Sequence, residues 1–215
     1  MVDYQCNLYE RNNMRLLSRE EYKRRLAEDD KSRERRLELQ KRYHFPDWHL
    51  SVANDYSFEI ADYIYNIACD MDHVPTIVEC GCGLCNIIGD KKLDEFFRIG
   101  FDINETLLNA ERELYEGKSI SFVKGSFGDI GCGRIDFLIS VNFPHEIPTD
   151  SLKKIYSSLF KRNQITYYIV DEVTGNYPYH HNYSSILPDE YRLYESIGPF
   201  GSDGGERNIR IFKHL

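Results

Sequence analysis

The sequence contains no apolar run that approaches the roughly 20 residues needed to cross a bilayer, so no membrane-spanning helix is expected. Its first residues, Met1–Cys6, lack the basic and then apolar pattern of a secretory signal. Neither an internal repeat nor a low-complexity stretch is visible. These absences predict a cytoplasmic protein without a membrane partner, and a length of 215 residues suits one domain with an added segment.

Positive charge is scarce over most of the chain. Residues 1–45 hold twelve Lys or Arg and nine Asp or Glu, a net charge of +3, so the overall −8 leaves −11 on the remaining 170 residues. Nucleic-acid binding depends on a basic surface, and the acidic main domain therefore argues against a nucleic-acid partner. In the N-terminal segment the charges alternate in sign, which is typical of a solvated helix with i,i+4 ion pairs.

Apolar residues are sparse in the charged segment Ser18–Tyr43, which predicts one long helix with Ser18 and Glu21 as a capping box. Nearly all of its apolar residues are leucines, at positions Leu26, Leu37 and Leu39. Such a helix must lie on the domain surface, pack on a partner chain or be partly disordered, and a homodimer through it is one reading. We assign residues 1–54 to an N-terminal helical extension or lid and residues 55–215 to the main domain.

A short apolar run that ends in a Gly-x-Gly turn is the most informative pattern. Residues 76–83 read Thr-Ile-Val-Glu-Cys-Gly-Cys-Gly, in which the first five suit a buried parallel strand. Gly81 and Gly83 allow the backbone to turn sharply and to approach a ligand closely. Asp102 ends the next apolar run, where a carboxylate can accept hydrogen bonds from both hydroxyls of a ribose. The pattern therefore predicts a nucleoside site.

The identity of the nucleoside depends on the residues around the glycines. The dinucleotide pattern Gly-x-Gly-x-x-Gly/Ala has a small residue where this chain has Asn86, which counts against NAD and FAD. Glu79 precedes the first glycine by two residues, and Glu-x-Gly-x-Gly at a strand end resembles the first motif of the class I S-adenosylmethionine-dependent methyltransferases. In that family the acid helps to hold the amino-acid end of the cofactor, and the loop usually has a third glycine where this chain has Cys85.

Later segments resemble the remaining motifs of that family in the same order. Residues 120–127 resemble the third strand and its adenine-binding loop, in which Ser126 could accept a hydrogen bond and Phe127 could pack on the ring. Residues 136–141 resemble the fourth strand, which ends beside the methyl group, and residues 164–170 the fifth strand. The cofactor-binding residues that the resemblance implies are Glu79, Gly81, Cys82, Gly83, Asp102, Ile103, Ser126, Phe127 and Ser140.

The resemblance and the apolar patterns predict an α/β fold: a Rossmann-like, seven-stranded, mostly parallel sheet with helices on both faces, the last strand antiparallel, plus the N-terminal helical extension. Helical apolar spacing over Ser57–Cys69 predicts the helix before the first strand. Tyr191–Glu195 and Asn208–Lys213 predict the last two strands, joined by a glycine-rich turn that contains Gly198 and Gly201. A loop is expected in place of the usual helix before the sixth strand.

Cysteines are few, and three of them form Cys80-x-Cys82-x-x-Cys85. Zinc sites usually use two separated ligand pairs, and no second pair occurs elsewhere, so we expect no metal at this position. Cys80 is expected in the sheet core as a small hydrophobe. Cys85 could be a solvent-accessible thiol near the cofactor. Some methyltransferases of the family that this chain resembles bind a divalent metal through acids after the fourth and fifth strands. Here the fourth strand ends without an acid at residues 140–142, which favours a metal-independent reaction.

The methyl acceptor must be aligned with the sulfonium methyl group, and a hydroxyl acceptor must also lose a proton, for which histidine is suited. His145, just past the fourth strand, is the first candidate base. His180 and His181 are the next candidates and belong to the Tyr-rich segment Asn176–Tyr183, which we expect to bind the acceptor. His49 is a further candidate, because N-terminal segments in this family often cover the active site.

Three functions are compatible with these features. The first is methyl transfer to a hydroxyl of a sugar or other small polar metabolite, with assistance from a histidine. The second is N-methylation of an amine or of a protein side chain, because a neutral amine needs less help from a base. The third is a cofactor-binding scaffold without catalysis, which the altered glycine loop at Cys85 would allow.

Overall fold

The computed structural model describes residues 18–50, 55–202 and 204–215, so positions 1–17 and 51–54 of the predicted N-terminal extension lie outside the described residues. The helices are α1 (Arg19–Tyr43), α2 (Asp55–Ala68), α3 (Glu105–Leu114), α4 (Thr149–Arg162) and α5 (Tyr183–Ile186). The strands are β1 (Thr76–Cys80), β2 (Phe97–Asp102), β3 (Ile120–Lys124), β4 (Arg134–Ser140), β5 (Gln164–Val173), β6 (Tyr191–Ser202) and β7 (Gly205–His214).

The strands form one sheet in the order β3-β2-β1-β4-β5-β7-β6. The first five strands run parallel, and β7 pairs antiparallel with both β5 and β6. This arrangement confirms the predicted α/β sheet and its antiparallel last strand. The order reverses direction between β1 and β4, and ligands of open α/β sheets bind beyond the carboxyl ends of the strands at such a point.

Both faces of the sheet are covered by apolar side chains, because neighbouring residues of a strand point to opposite faces. In β1, Ile77 belongs to the core that includes α2, and Val78 to the core that includes α4. Cys80 belongs to the second core and is 1% exposed, so its expected place in the sheet interior is confirmed. The buried faces fix the carboxyl ends of β1, β2 and β4 as one rigid edge.

The two C-terminal strands are longer than the sequence predicted. Gly198 and Gly201 lie within β6, which extends to Ser202, and not between the two strands. The pairing of β6 with β7 shifts register at two places, one of them between Ile197 and Phe200. Such shifts are typical of β-bulges, which leave residues of one strand unpaired. Before β6 the expected loop is present, but it is followed by the four-residue helix α5.

Helix α1 lies on the surface of its own chain. It begins after Ser18, whose Oγ accepts a hydrogen bond from the Glu21 N–H at 3.1 Å. Leu39 is its fully buried apolar anchor, in a small cluster with residues of α3. The predicted homodimer through this helix stays a prediction. No helix within the three described ranges has both the length and the apolar character needed to cross a membrane.

Ion pairs attach α1 to the main domain. Arg25 is buried and lies 2.5 Å from Asp62 of α2. Arg35 lies 2.5 Å from Glu113 of α3, and Arg42 contacts the same carboxylate. The helix is therefore held mainly by charged side chains and only to a small extent by apolar burial.

Candidate cofactor and acceptor site

The turn after β1 has the open backbone that a close ligand requires. Gly81 and Gly83 have φ values of 60° and 58°, in the left-handed region that favours glycine. A Cβ atom at Gly81 would lie 2.7 Å from a ring carbon of Phe143. A Cβ atom at Gly83 would lie 3.3 Å from Nδ1 of His49, so this candidate base lies close to the glycine turn.

Asp102, at the end of β2, faces the glycine turn. Its Oδ2 accepts a hydrogen bond from the Gly83 N–H at 3.1 Å, and its Oδ1 accepts one from the Asn104 N–H at 2.9 Å. Ile103 follows with 72% of its surface exposed, which is unusual for an isoleucine. A carboxylate, a bare glycine backbone and an exposed apolar side chain thus lie together, and this combination can hold the ribose and base of a nucleoside.

Glu79 is buried beneath the same turn. Its Oε2 accepts a hydrogen bond from the Ile88 N–H at 3.1 Å. Burial raises the pKa of Glu79 to about 8 in spite of this bond, and the nearby carboxyl of Glu111 adds to the rise. The group is therefore mostly protonated at pH 7, and a cationic amine beside it would favour the ionised form.

Two residues predicted to meet the adenine are engaged elsewhere. The Ser126 hydroxyl lies 2.6 Å from Asp129 Oδ2, and the Ser126 N–H donates to the same oxygen at 2.9 Å, which caps the short turn that follows β3. Phe127 is 8% exposed and packs edge-to-face against Phe143 and Tyr156. The Ser126–Asp129 pair is exposed at the sheet edge, whereas the Phe127 ring is part of the core.

The side chains of Ser140 and Cys82 also point into the protein interior. Ser140 is fully buried, and its hydroxyl is hydrogen-bonded to that of Tyr168. Cys82 is 5% exposed and belongs to the apolar core on the α2 side of the sheet. The predicted contacts of these two residues with the cofactor stay predictions.

The expectation of a solvent-accessible thiol at Cys85 is wrong. Cys85 is fully buried, and its Sγ donates a hydrogen bond to Glu111 Oε1 at 3.0 Å. The loop returns the chain toward α3, where the Tyr115 hydroxyl donates to the main-chain oxygens of Leu84 and Cys85. These bonds turn the thiol inward.

A buried ion pair forms the other half of the site. Arg207 of β7 places Nη1 2.9 Å from Asp171 Oδ2, near the end of β5, and both side chains are buried. His145 places Nδ1 3.7 Å from the same oxygen and packs its ring 4.3 Å from that of Tyr177. Burial lowers the pKa of His145 to about 4, with Arg207 and His181 acting in the same direction, so its imidazole is neutral at pH 7.

Among the described residues, His145 Nδ1 and Asp171 Oδ1 are buried without a hydrogen-bond partner. Buried polar atoms are normally satisfied, and unpaired ones often mark a functional site. The structure thus brings together a neutral imidazole and a buried carboxylate at the carboxyl ends of β4 and β5.

His181 and His180, the next two candidate bases, differ from His145. His181 is buried, and its Nε2 donates to the Pro144 oxygen at 2.9 Å while Nδ1 lies 3.1 Å from Thr149 Oγ1. Both of its nitrogens are therefore occupied. His180 is exposed and bonds to the Gly175 oxygen at 3.2 Å. His181 is hydrogen-bonded to the residue before His145 and so supports its position, whereas His180 is held only by the exposed contact with Gly175 among its described hydrogen bonds.

The sequence analysis did not identify the residues that join β4 to the C-terminal hairpin. Asn142 has a φ of 74°, donates from Nδ2 to the Tyr56 hydroxyl at 2.7 Å, and accepts from Arg207 through Oδ1. The Arg207 guanidinium also lies over the Tyr56 ring, 4.9 Å from its centre. Asn142 just after a strand was a weak signal, because asparagine tolerates the left-handed region. The sequence around Arg207 gives no indication that this residue contacts the site.

No protein-family model matches the chain, and no curated protein matches it. Solved structures do match. Magnesium protoporphyrin IX methyltransferase (ChlM) from Synechocystis PCC 6803 with bound SAM is 15% identical, with a TM-score of 0.58 over 88% of this chain and 96% of that chain. The N-methyltransferase NodS from Bradyrhizobium japonicum, in complex with S-adenosyl-L-homocysteine, is 12% identical, with a TM-score of 0.61 over 83% and 97%.

A third match is a SAM-dependent methyltransferase from Leishmania major, 10% identical with a TM-score of 0.56 over 74% of each chain. Identities this low concern the fold and not the substrate. The chain therefore has the fold of the SAM-dependent methyltransferases, as the sequence resemblance predicted.

Proposed function

We propose that this protein is an S-adenosylmethionine-dependent methyltransferase that acts on a small polar acceptor. The observation that carries the proposal is the hydrogen bond from the Gly83 N–H to Asp102, which joins the glycine turn to the acid at the end of β2. Two solved proteins of the same fold contain SAM or S-adenosyl-L-homocysteine, and this supports the same nucleoside here. A cytoplasmic location and the absence of a nucleic-acid partner are part of the proposal.

The residues present fit this cofactor. Asp102 would accept from the ribose hydroxyls, the exposed Ile103 would cover the base, and Glu79 would ionise beside the amino group. Gly81 and Gly83 leave the turn without Cβ atoms on the side of the ligand. When bound, the cofactor supplies an electrophilic methyl group, so the main task of the protein is to position an acceptor.

We assign the acceptor side to His145, Asp171 and Tyr177. A neutral imidazole can accept the proton of a hydroxyl, and Asp171 would stabilise the imidazolium that forms. The Tyr177 ring beside His145 offers a flat apolar face with a polar tip, which suits a sugar or a similar metabolite. The Tyr177 hydroxyl is held by Arg207 at 3.3 Å, so this face has a defined orientation.

A second candidate function is N-methylation. The low pKa of His145 makes it a weak base, and a neutral amine needs less help from a base than a hydroxyl does. A cofactor-binding scaffold without catalysis is the third candidate, which the altered glycine loop at Cys85 would allow.

The decisive experiment is calorimetric titration with S-adenosylmethionine, S-adenosyl-L-homocysteine and NAD, repeated on Asp102→Ala. We expect binding of the first two, no binding of NAD, and a loss of roughly 100-fold or more in affinity in the variant. An acceptor screen with matched alcohols and amines then separates O- from N-methylation. His145→Gln should lower turnover on an alcohol, whereas His180→Gln should not. Binding of neither sulfur nucleoside by the wild-type chain would overturn the proposal.

A further inference from the structure

A compact group of three potential metal ligands lies behind the glycine turn, and it comprises two thiols and one carboxyl. From the geometry we infer that Cys82, Cys85 and Glu111 form a binding site for one thiophilic divalent metal ion, with zinc as the expected occupant. One ligand atom from each residue lies within 4.8 Å of the other two, and all three residues are buried. This inference concerns the folded chain and does not depend on the proposed methyl transfer.

The ligand types suit zinc. Zinc binds thiolate sulfur and carboxylate oxygen at about 2.3 Å and 2.0–2.2 Å, and the thiols and the carboxyl group release their protons to solvent when they bind it. The Cys-x-x-Cys spacing places both thiols on one turn, which closes through the Cys85 N–H and the Cys82 oxygen at 2.7 Å. Glu111 reaches the same point from α3. The sequence contains no second cysteine pair, but the fold supplies the third ligand from a helix.

The backbone at Cys85 adopts a conformation that is unfavourable for a residue with a side chain. Its φ is 53°, in the left-handed region where a side chain costs roughly 1–2 kcal/mol relative to glycine. In this conformation Sγ lies 3.0 Å from Glu111 Oε1 and donates a hydrogen bond to it.

Space for the two sulfur atoms is provided by β2. A Cβ atom at Gly100 would lie 2.9 Å from the Sγ of Cys82 and 3.3 Å from that of Cys85. The two thiols therefore pack against a bare stretch of backbone, and any larger residue at position 100 would force them to move. Strand β2, which ends in Asp102, thus also packs against the two thiols.

Glu111 supplies the observation that points to a ligand. The residue has no exposed surface, and its Oε1 accepts a hydrogen bond from Cys85. Its Oε2 is buried and has no hydrogen-bond partner among the described residues. A carboxyl oxygen left unsatisfied in the interior is costly in free energy, and a cation bound between it and the thiols would remove that cost.

Binding would connect α3 to the glycine turn. Gly83 lies between the two cysteines in sequence and donates its N–H to Asp102. A metal ion held by both cysteines and by Glu111 would therefore fix the backbone on either side of this hydrogen bond. We expect the ion to stabilise the folded chain and to restrict the turn.

The test uses the full chain, purified under reducing conditions and freed of metal, with Co²⁺ as the spectroscopic probe. We expect about one Co²⁺ per chain, an absorption band for thiolate-to-metal charge transfer, displacement of Co²⁺ by Zn²⁺, and a higher melting temperature with Zn²⁺. Cys82→Ser should remove the band. Glu111→Gln should keep it and weaken binding roughly tenfold or more. Cys69→Ser, which changes an exposed cysteine, is the matched control and should behave as wild type.

Cys85→Gly separates loss of a ligand from failure to fold, because glycine relieves the left-handed strain at this position. We expect this variant to fold, as judged by circular dichroism, and to bind no Co²⁺ at the site. The inference is overturned if wild type shows no charge-transfer band and no change in melting temperature with Zn²⁺. It is equally overturned if Cys85→Gly binds the metal as tightly as wild type does.

Discussion

The ring of Phe143 lies against Gly81, so close that a Cβ atom at Gly81 would come within 2.7 Å of it. We expect Gly81→Ala to destabilise the protein by about 2–4 kcal/mol, from left-handed strain plus the displaced ring, and to abolish binding of S-adenosylmethionine. Gly117→Ala is the matched control, because Gly117 also has a positive φ but has no atom within 4 Å of its missing Cβ. Equal losses of melting temperature in the two variants would mean that the Phe143 contact is unimportant.

The lowered pKa of His145 predicts how the stability and the activity of the protein change at acid pH. It is lowered to about 4, whereas the unfolded chain has the ordinary value near 6.5. Stability from this group is thus fully present above about pH 6.5 and falls as the pH drops toward 4. We expect kcat/KM to show no acid limb from His145 near pH 6.5, and His145→Gln to lose less stability than wild type between pH 6.5 and 4. A loss of activity centred near pH 6.5 that is absent in His145→Gln would contradict this assignment.

Two arginines of β7 offer a direct comparison of buried and exposed ion pairs. Arg207→Met would leave the buried Asp171 without its partner, and we expect a loss of about 3–5 kcal/mol in the free energy of unfolding. Arg210→Met removes a partly exposed pair with Glu172 and should cost less than about 1 kcal/mol. Denaturant titration measures both values. If Arg207→Met were no worse than Arg210→Met, Asp171 would have to be neutral in the folded protein.

Glu79 makes the stability depend on pH in the opposite direction. Its pKa is raised to about 8, so the folded chain holds a proton that the unfolded chain releases near pH 4.5. The stabilisation is fully present below about pH 4.5 and is lost as the pH rises through 8. Glu79→Gln resembles the protonated form, and we expect its stability relative to wild type to increase from about pH 5 to about pH 9. The test is the free energy of chemical unfolding of both proteins at these two pH values. A difference between them that does not change with pH would show that Glu79 is ionised throughout.

The sheet and its cofactor edge could be predicted because their signals are local. β1 has the predicted bounds, and Gly81 has the positive φ that its place after a strand requires. Asp102 lies at the end of β2, close to the glycine turn. In each case neighbouring residues largely determine the conformation, so it can be predicted from the sequence alone.

The acceptor side could not be derived in this way. Arg207 and Asp171 are brought together only when β7 pairs with β5, and their own neighbours give no indication of the contact. The direction of the Cys85 thiol likewise depends on Glu111, 26 residues later. The cofactor and catalytic roles assigned to individual residues stay predictions.

The attachment of α1 to the domain has a consequence for experiments in solution. Contacts such as Arg35 with Glu113 join exposed or half-exposed charges, and salt weakens such attractions over a Debye length of about 8–10 Å. Leu39 is the one buried apolar side chain among those described in α1, and the buried Arg25–Asp62 pair is screened less than the exposed pairs, so we expect the C-terminal half of α1 to loosen first as ionic strength rises. His49 follows α1 and lies above Gly83, so the salt concentration of the buffer would govern how freely a ligand reaches the glycine turn.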